Sequence, residues 1–468
     1  MEIQDLGVRP TEILLPRADL DPQKWSVVAC DQYTSEPEYW EAAANFIADA
    51  PSTLNLVFPE VYLEQDETAK NARITKINAT MRQYLADGIF SATPSALIYL
   101  NRATAAHPSR QGLMLTVDLE KYDYRPGSQT LIRATEGTVL DRIPPRLKIR
   151  ADAPLELPHI MLLIDDPEHS VIEPLAAQTS DFKKVYDFDM MLDSGHLTGW
   201  QIDSPTTIEN IFQKLAALIE PEKYAAKYGL SAAGAGAKNA SATSVPTAAA
   251  TNDQLLFATG DGNHSLATAK AHWENIKTGL TAEQQENHPA RRALVEVVNI
   301  HDAGLEFEPI HRVVFNTDLA EISTALEKYA TLNNLPMKLE NFDSRDALNT
   351  WLETHKTPSG QAVPLQASDA WAIAYFPTPV QQLAVGTWQN FLDWWVKENS
   401  TIKLDYVHDD ASVDKLCRQG NNVGCYLPAM RKEQLFKTVI MDGALPRKTF
   451  SMGSASEKRF YLEARKIQ

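Results

Sequence analysis

The stretch Thr259-Gly260-Asp261-Gly262-Asn263-His264-Ser265 concentrates residue types that can do chemistry. Gly260 and Gly262 allow a tight turn and a close approach of the backbone to a ligand. A helical pattern starts immediately after them. Its first turn presents unpaired N–H groups and the positive end of the helix dipole, which together make an anion site. His264 and Ser265 supply donors suited to phosphate oxygens. Asp261 repels a phosphate but suits Mg²⁺ or the proton of an attacking hydroxyl. As a set these residues describe phosphoryl transfer. The same residues also describe a plain strand–turn–helix junction, with Asp261 or Ser265 as the helix cap. Neither a Walker A motif nor a full GxGxxG fingerprint is present.

The flanking sequence supplies the elements that must hold this turn. "DQLLFATG" reads as a strand. "SLATAKAHWENIKTG" reads as a helix with Leu266, Ala269, Trp273 and Ile276 on its core face and Gly279 at its end. Upstream, "WSVVACDQY" is a buried strand whose polar end, Asp31, Gln32 and Tyr33, is placed to line a site. "SEPEYWEAAANFIAD" predicts a helix capped by Ser35. "TAKNARITKINATMRQYLADGIF" predicts a longer helix closed by Gly88. "SALIYLNRAT" and "RQGLMLTVDLEKYDYRPGSQTLIRATEGTVL" read as strands, and "VYDFDMMLDSGHLTGWQID" as a hairpin around Gly195. His159–Ile164 reads as a strand before an acidic turn. The basic run Arg142, Arg146, Lys148 and Arg150 reads as an exposed strand face or an anion contact. Residues 231–252 are low-complexity, a surface loop or linker beside the glycine turn. The stripe Trp388, Phe391, Leu392 and Trp395 reads as helix core.

The 468 residues carry 44% hydrophobic and 22% charged side chains, enough for a buried core and for two or three domains. A formal net charge of −17 disfavours nucleic-acid binding as the main role. Only three cysteines occur, without CxxC spacing, which argues against a disulfide framework or a thiolate zinc site. Asp165-Asp166 with His169 lacks an obvious third metal ligand, and the absence of GxSxG argues against a nucleophile elbow at Ser194. With no apolar span and no signal-peptide pattern, the expectation is a soluble protein of the bacterial cytoplasm, with no membrane partner.

Four ordered segments carry a family resemblance. "TGDGNHSLATA" resembles the Asp-Gly-His-His-Arg-x-x-x-Ala segment of the bacterial domain-of-unknown-function family 1015. "LIRATEGTVLDRIPPRLK", "HDAGLEFEPIHRVV" and "ALPRKTFSMG" resemble its His-Glu-x-Thr, Pro-x-His-Arg and Met-Pro-x-Lys-Ser/Thr segments. The resemblance runs from about Val27 to Lys458. The glycine turn is also similar to one in free serine kinases of the ParB/sulfiredoxin-like fold. That similarity implies nucleotide-dependent phosphorylation of a small hydroxylated metabolite, with ATP or ADP and Mg²⁺ as the cofactor. On it, Asp261, His264 and Glu136 take catalytic roles. Gly260, Gly262, Asn263, Ser265, His311, Arg312 and Lys448 bind the phosphate-bearing ligand. The sequence departs from the pattern at Asn263, which replaces a histidine, and at Ser265, which replaces an arginine. Ala134-Thr135 stands where the His-Glu pair would begin. Loss of the arginine removes a bidentate phosphate donor. It favours the alternative of a non-catalytic regulator that binds a nucleotide or phosphometabolite.

The expected fold is α/β to α+β, with mixed sheets, flanking helices and two lobes. The ParB/sulfiredoxin-like element lies around residues 254–280. The lobes are expected at 1–230 and 253–468, joined by 231–252.

Overall fold

A computed structural model describes residues 3–230, 254–355 and 360–468. The low-complexity stretch expected as a loop at 231–252 lies outside the described residues. The fold is mixed α/β. The chain divides into two compact units, Met1–Leu305 with Gly453–Gln468, and Glu306–Met452. The division therefore falls some fifty residues after the expected one. The physical reason is strand pairing: the strand before the glycine turn is bonded between two strands from before residue 230.

The first unit is built on an eleven-stranded sheet. Its strands are β1 Val8–Arg9, β2 Thr11–Pro16, β3 Phe90–Ala103, β4 Arg110–Asp118, β5 Tyr122–Asp123 and β6 Ile132–Ala134. They continue as β7 Met161–Ile164, β8 Lys183–Asp189, β9 His196–Ile202, β10 Phe257–Asp261 and β11 Arg292–Asn299. The spatial order is β8-β9-β3-β4-β11-β7-β10-β6-β5, with β1 beside β4 and β2 beside β3. β8 and β9 form the hairpin expected around Gly195. β10 runs antiparallel to β7 and parallel to β6. Central strands such as β7 and β11 are buried along nearly their whole length, so they read as continuous apolar runs rather than alternating ones.

Among the helices of this unit are α1 Pro37–Ile47, α2 Glu67–Ala86, α3 Ile143–Arg150 and α4 Asn263–Lys277, and the last three bear on the site. In α4, Leu266, Ala269 and Trp273 are buried as the periodicity requires, while Ile276 is only half-buried. Burying Leu266 and Trp273 contributes on the order of 2 kcal/mol each. α2 is capped by Asp66, whose carboxylate accepts the Ala69 N–H. Two local expectations change. Ser35 does not cap α1; Glu36 holds that position without a side-chain bond. The basic run 142–150 is helical rather than a strand face, because Pro144 and Pro145 fit a first turn, where no N–H is needed.

The last sixteen residues close the first unit. Phe460–Tyr461 pairs with Val27–Val28, and Arg465–Lys466 pairs with Leu155–Glu156. Buried ion pairs hold this tail: Arg459 to Glu296 (2.5 Å) and to Glu463, and Arg465 to Glu156 (2.7 Å). Each side chain is nearly or wholly excluded from solvent, so each pair must be hydrogen-bonded to offset desolvation.

The second unit holds a six-stranded antiparallel sheet, with α5 Ala384–Glu398 among its helices. Trp388, Phe391, Leu392 and Trp395 of α5 are buried, as the stripe predicts.

Candidate functional site

β10 ends at Asp261, and Gly262 turns the chain into α4 at φ 78°. An L side chain is strained there, and an added Cβ would stand 3.0 Å from the Ile160 Cα. At Gly260 an added Cβ would stand 2.8 Å from the Leu163 side chain. Gly262 is therefore required by the turn and by close approach, and Gly260, within the strand, by close approach alone. No side chain caps α4, and the first bond of its ladder runs from Leu266 N–H to Gly262 C=O. The amides of Asn263, His264 and Ser265 thus have no intrahelical acceptor.

Asp261 does not cap the helix in the ordinary sense. Its Oδ1 accepts the Gly262 N–H at 2.9 Å, and its Oδ2 lies 3.4 Å from Lys458 Nζ. His264 Nε2 accepts the Val139 N–H at 3.4 Å, which leaves the Nδ1 position to carry the proton. Burial, then Arg146 and Arg142, pull the His264 pKa down to about 4. The imidazole is therefore neutral at physiological pH and stands in a locally positive field. α3, which packs against α4, carries that field. Asn263 donates to Thr135 Oγ1 at 3.4 Å, while its Oδ1 is buried without a partner. Glu136 follows β6, half-buried, next to Thr135.

Ser265 faces away from the anion position. Its Oγ lies 2.8 Å from His159 Nε2, and His159 Nδ1 lies 2.7 Å from the Tyr461 hydroxyl. Asp31 Oδ2 is 3.7 Å from the same His159 Nε2. Burial pushes the Asp31 carboxyl up, but His159, Gln32 and Lys458 outweigh it and hold Asp31 below the usual carboxylate range. Ser265, His159, Tyr461 and Cys30 line a cavity of about 150 Å³. Its walls include Leu56, Val57, Phe58, Met81 and Leu294, and the Arg146–Glu60 pair also lines it.

The remaining expected ligands belong to the second unit. Arg312 is fully buried; it donates to Gln389 Oε1 (2.8 Å), Ile310 C=O (2.6 Å) and Arg447 C=O (3.2 Å) and stacks on Tyr406. His311 accepts the Leu427 N–H at 3.0 Å and pairs with Asp410 at 3.0 Å. Lys448 is exposed at φ 56°. Asp165, weighed as a metal ligand, is taken by His301 (2.7 Å), Tyr228 and Lys227. Among the described residues no group of three His, Cys, Asp or Glu side chains has the geometry of a metal site.

Sequence reasoning named Asp31 but missed His159, Lys458 and Tyr461. His159 stands alone before an apolar strand, where nothing local marks it. Lys458 and Tyr461 reach the site only through the pairing of the C-terminal tail with Val27–Val28.

Residues 10–393 match the profile of the family described as "Protein of unknown function (DUF1015)". The chain belongs to that family. The matched span ends before the C-terminal segment "ALPRKTFSMG", so the expected similarity there is not part of it. A search of curated proteins finds no match. Among solved structures, the chain is similar to a conserved hypothetical protein from Pyrococcus furiosus. The TM-score is 0.34 at 11% identity, over 76% of this chain and 95% of that one. It is also similar to a free serine kinase variant in complex with AMP, with TM-score 0.36, 12% identity and coverage of 76% and 91%. The ADP complex gives TM-score 0.36, 11% identity and coverage of 76% and 92%. At such scores the chemistry has to be argued from this chain's own residues.

Proposed function

We propose that the first turn of α4 binds the phosphate of a small nucleotide-like ligand, and that the protein transfers a phosphoryl group to a small hydroxylated metabolite. The observation that carries this reading is an uncapped helix start in the field of Arg142, Arg146 and Lys458. The free amides of Asn263 and His264 point their partial positive charge at the ligand. Neutral His264 adds an Nδ1–H donor without the desolvation penalty of a buried imidazolium. Lys458 supplies a point charge that an incoming phosphate shares with Asp261. ATP or ADP would enter as the substrate with its own Mg²⁺. Asp31 or Asp261, both carboxylates beside this turn, would accept the proton of the hydroxyl acceptor, and Glu136 is a third candidate.

One observation favours the alternative of a non-catalytic binding protein. Both Asp261 oxygens are already engaged, one by an amide and one by Lys458, which lowers its value as a base. Thermal unfolding in the presence of ADP, and of ATP with Mg²⁺, tests the shared claim. Binding at concentrations well above Kd raises Tm by roughly 2–4 °C. His264→Ala removes that rise. No shift at millimolar nucleotide overturns both readings. Turnover of bound ATP with small hydroxyl acceptors supports transfer, and its absence supports the binding protein.

A further inference from the structure

A second piece of chemistry sits on the other side of the same helical turn. Ser265 Oγ and His159 Nε2 are 2.8 Å apart, the spacing of a nucleophile and its general base. The Tyr461 hydroxyl accepts the Cys30 N–H at 3.2 Å. With its proton on Nδ1, His159 donates to a lone pair of the Tyr461 hydroxyl 2.7 Å away. That leaves the Nε2 lone pair facing the serine. Asp31, 3.7 Å from Nε2, is positioned to stabilise the imidazolium that forms when the serine proton arrives. His159 is only 7% exposed, so its ring is fixed by these bonds and is not free to swing into solvent.

The pair opens onto the 150 Å³ cavity, whose walls beyond the polar end are Leu56, Val57, Phe58, Met81 and Leu294. A cavity of that chemistry takes a short apolar chain.

We infer that Ser265 is a nucleophile activated by His159, and that this site transfers or hydrolyses short-chain acyl esters, independently of any nucleotide. Ser265 Oγ attacks the ester carbonyl carbon as its proton passes to His159 Nε2. The tetrahedral oxyanion collapses, the bond to the alcohol oxygen breaks, and His159 returns the proton to that alcohol. Water then repeats the sequence on the seryl ester, releasing the carboxylic acid and restoring the serine. Tyr461 is a positioning residue that holds the His159 ring through Nδ1.

The test uses the full chain with no nucleotide present, so its outcome is separate from that of the phosphate-binding reading. The unmodified protein is treated with a fluorophosphonate probe, and the modified peptide is located by mass spectrometry. Hydrolysis of p-nitrophenyl butyrate is followed in parallel. The expected result is a single adduct on Ser265 and measurable hydrolysis. Ser265→Ala abolishes both, and His159→Gln slows hydrolysis at least about 100-fold. Absence of an adduct on the folded wild-type protein overturns the inference without relying on any variant. An adduct on another residue, or wild-type hydrolysis by Ser265→Ala, overturns it equally.

Discussion

His264 and His311 stand in different units, and both imidazoles are driven toward neutrality by burial. Each was marked by a motif, Asp-Gly-Asn-His-Ser in one case and Pro-Ile-His-Arg in the other. Their surroundings are opposite. Around His264 the backbone is left open: no cap, three amides without intrahelical acceptors, and an Nδ1–H that meets no acceptor among the described residues. Around His311 the capacity is used up. Its two nitrogens hold Leu427 and Asp410, and its neighbour Arg312 spends its fork on Gln389, Ile310 and Arg447. The same residue types thus build a receptive surface in one unit and an internal brace in the other. What separates them is unspent hydrogen-bonding capacity, which sequence spacing does not reveal.

The largest expected effect comes from breaking the brace. Arg312→Ala orphans a buried amide oxygen and two carbonyls, and lowers the stability of the second unit by about 3–5 kcal/mol. Urea unfolding followed by the tryptophans of that unit checks it; a loss below 1 kcal/mol would remove the contrast. Next is Gly262→Ala. The positive φ and the 3.0 Å approach to Ile160 make it cost about 1–3 kcal/mol, and the distorted turn loses its response to ADP.

The pH dependence comes third. His264 titrates near 6.5 when unfolded and at about 4 when folded. Between those values the unfolded chain binds the extra proton, so stability is full above about pH 6.5 and is lost as pH falls toward 4. His264→Gln flattens that acid limb by roughly 1–2 kcal/mol, discounted for the partial exposure of the ring. An acid limb identical to wild type contradicts the burial assigned to this imidazole. The smallest effect tests the field alone. Arg142→Gln removes one of the two guanidiniums that depress His264, and raises its NMR titration midpoint by roughly a few tenths of a pH unit.

The fold was legible where periodicity and punctuation act locally. The face of α4, the hairpin at Gly195 and the buried stripe of α5 follow directly from spacing. Arg142–Arg150 was misjudged because charge was weighed and the Pro144-Pro145 helix start was not. The unit boundary was misplaced because a low-complexity stretch marks where a chain is tolerant, not where its strands pair. In the site, Asp261, Gly262 and His264 announced themselves by type and order. His159 and Tyr461 did not, since a lone histidine before a strand and a tyrosine in an apolar tail carry no local signal. They meet only when residues some 300 apart in sequence are brought together by the short sheet of Val27–Val28 and Phe460–Tyr461.

The most direct test of the central claim is an amide NMR titration of the ¹⁵N-labelled chain with ADP. The phosphate-binding account predicts that the largest shifts fall on Asn263 and His264, with the Nδ1 of His264 moving alongside them, while His311 and Arg312 stay still. Saturable binding that leaves the first turn of α4 unmoved, or no binding at millimolar ADP, would contradict it.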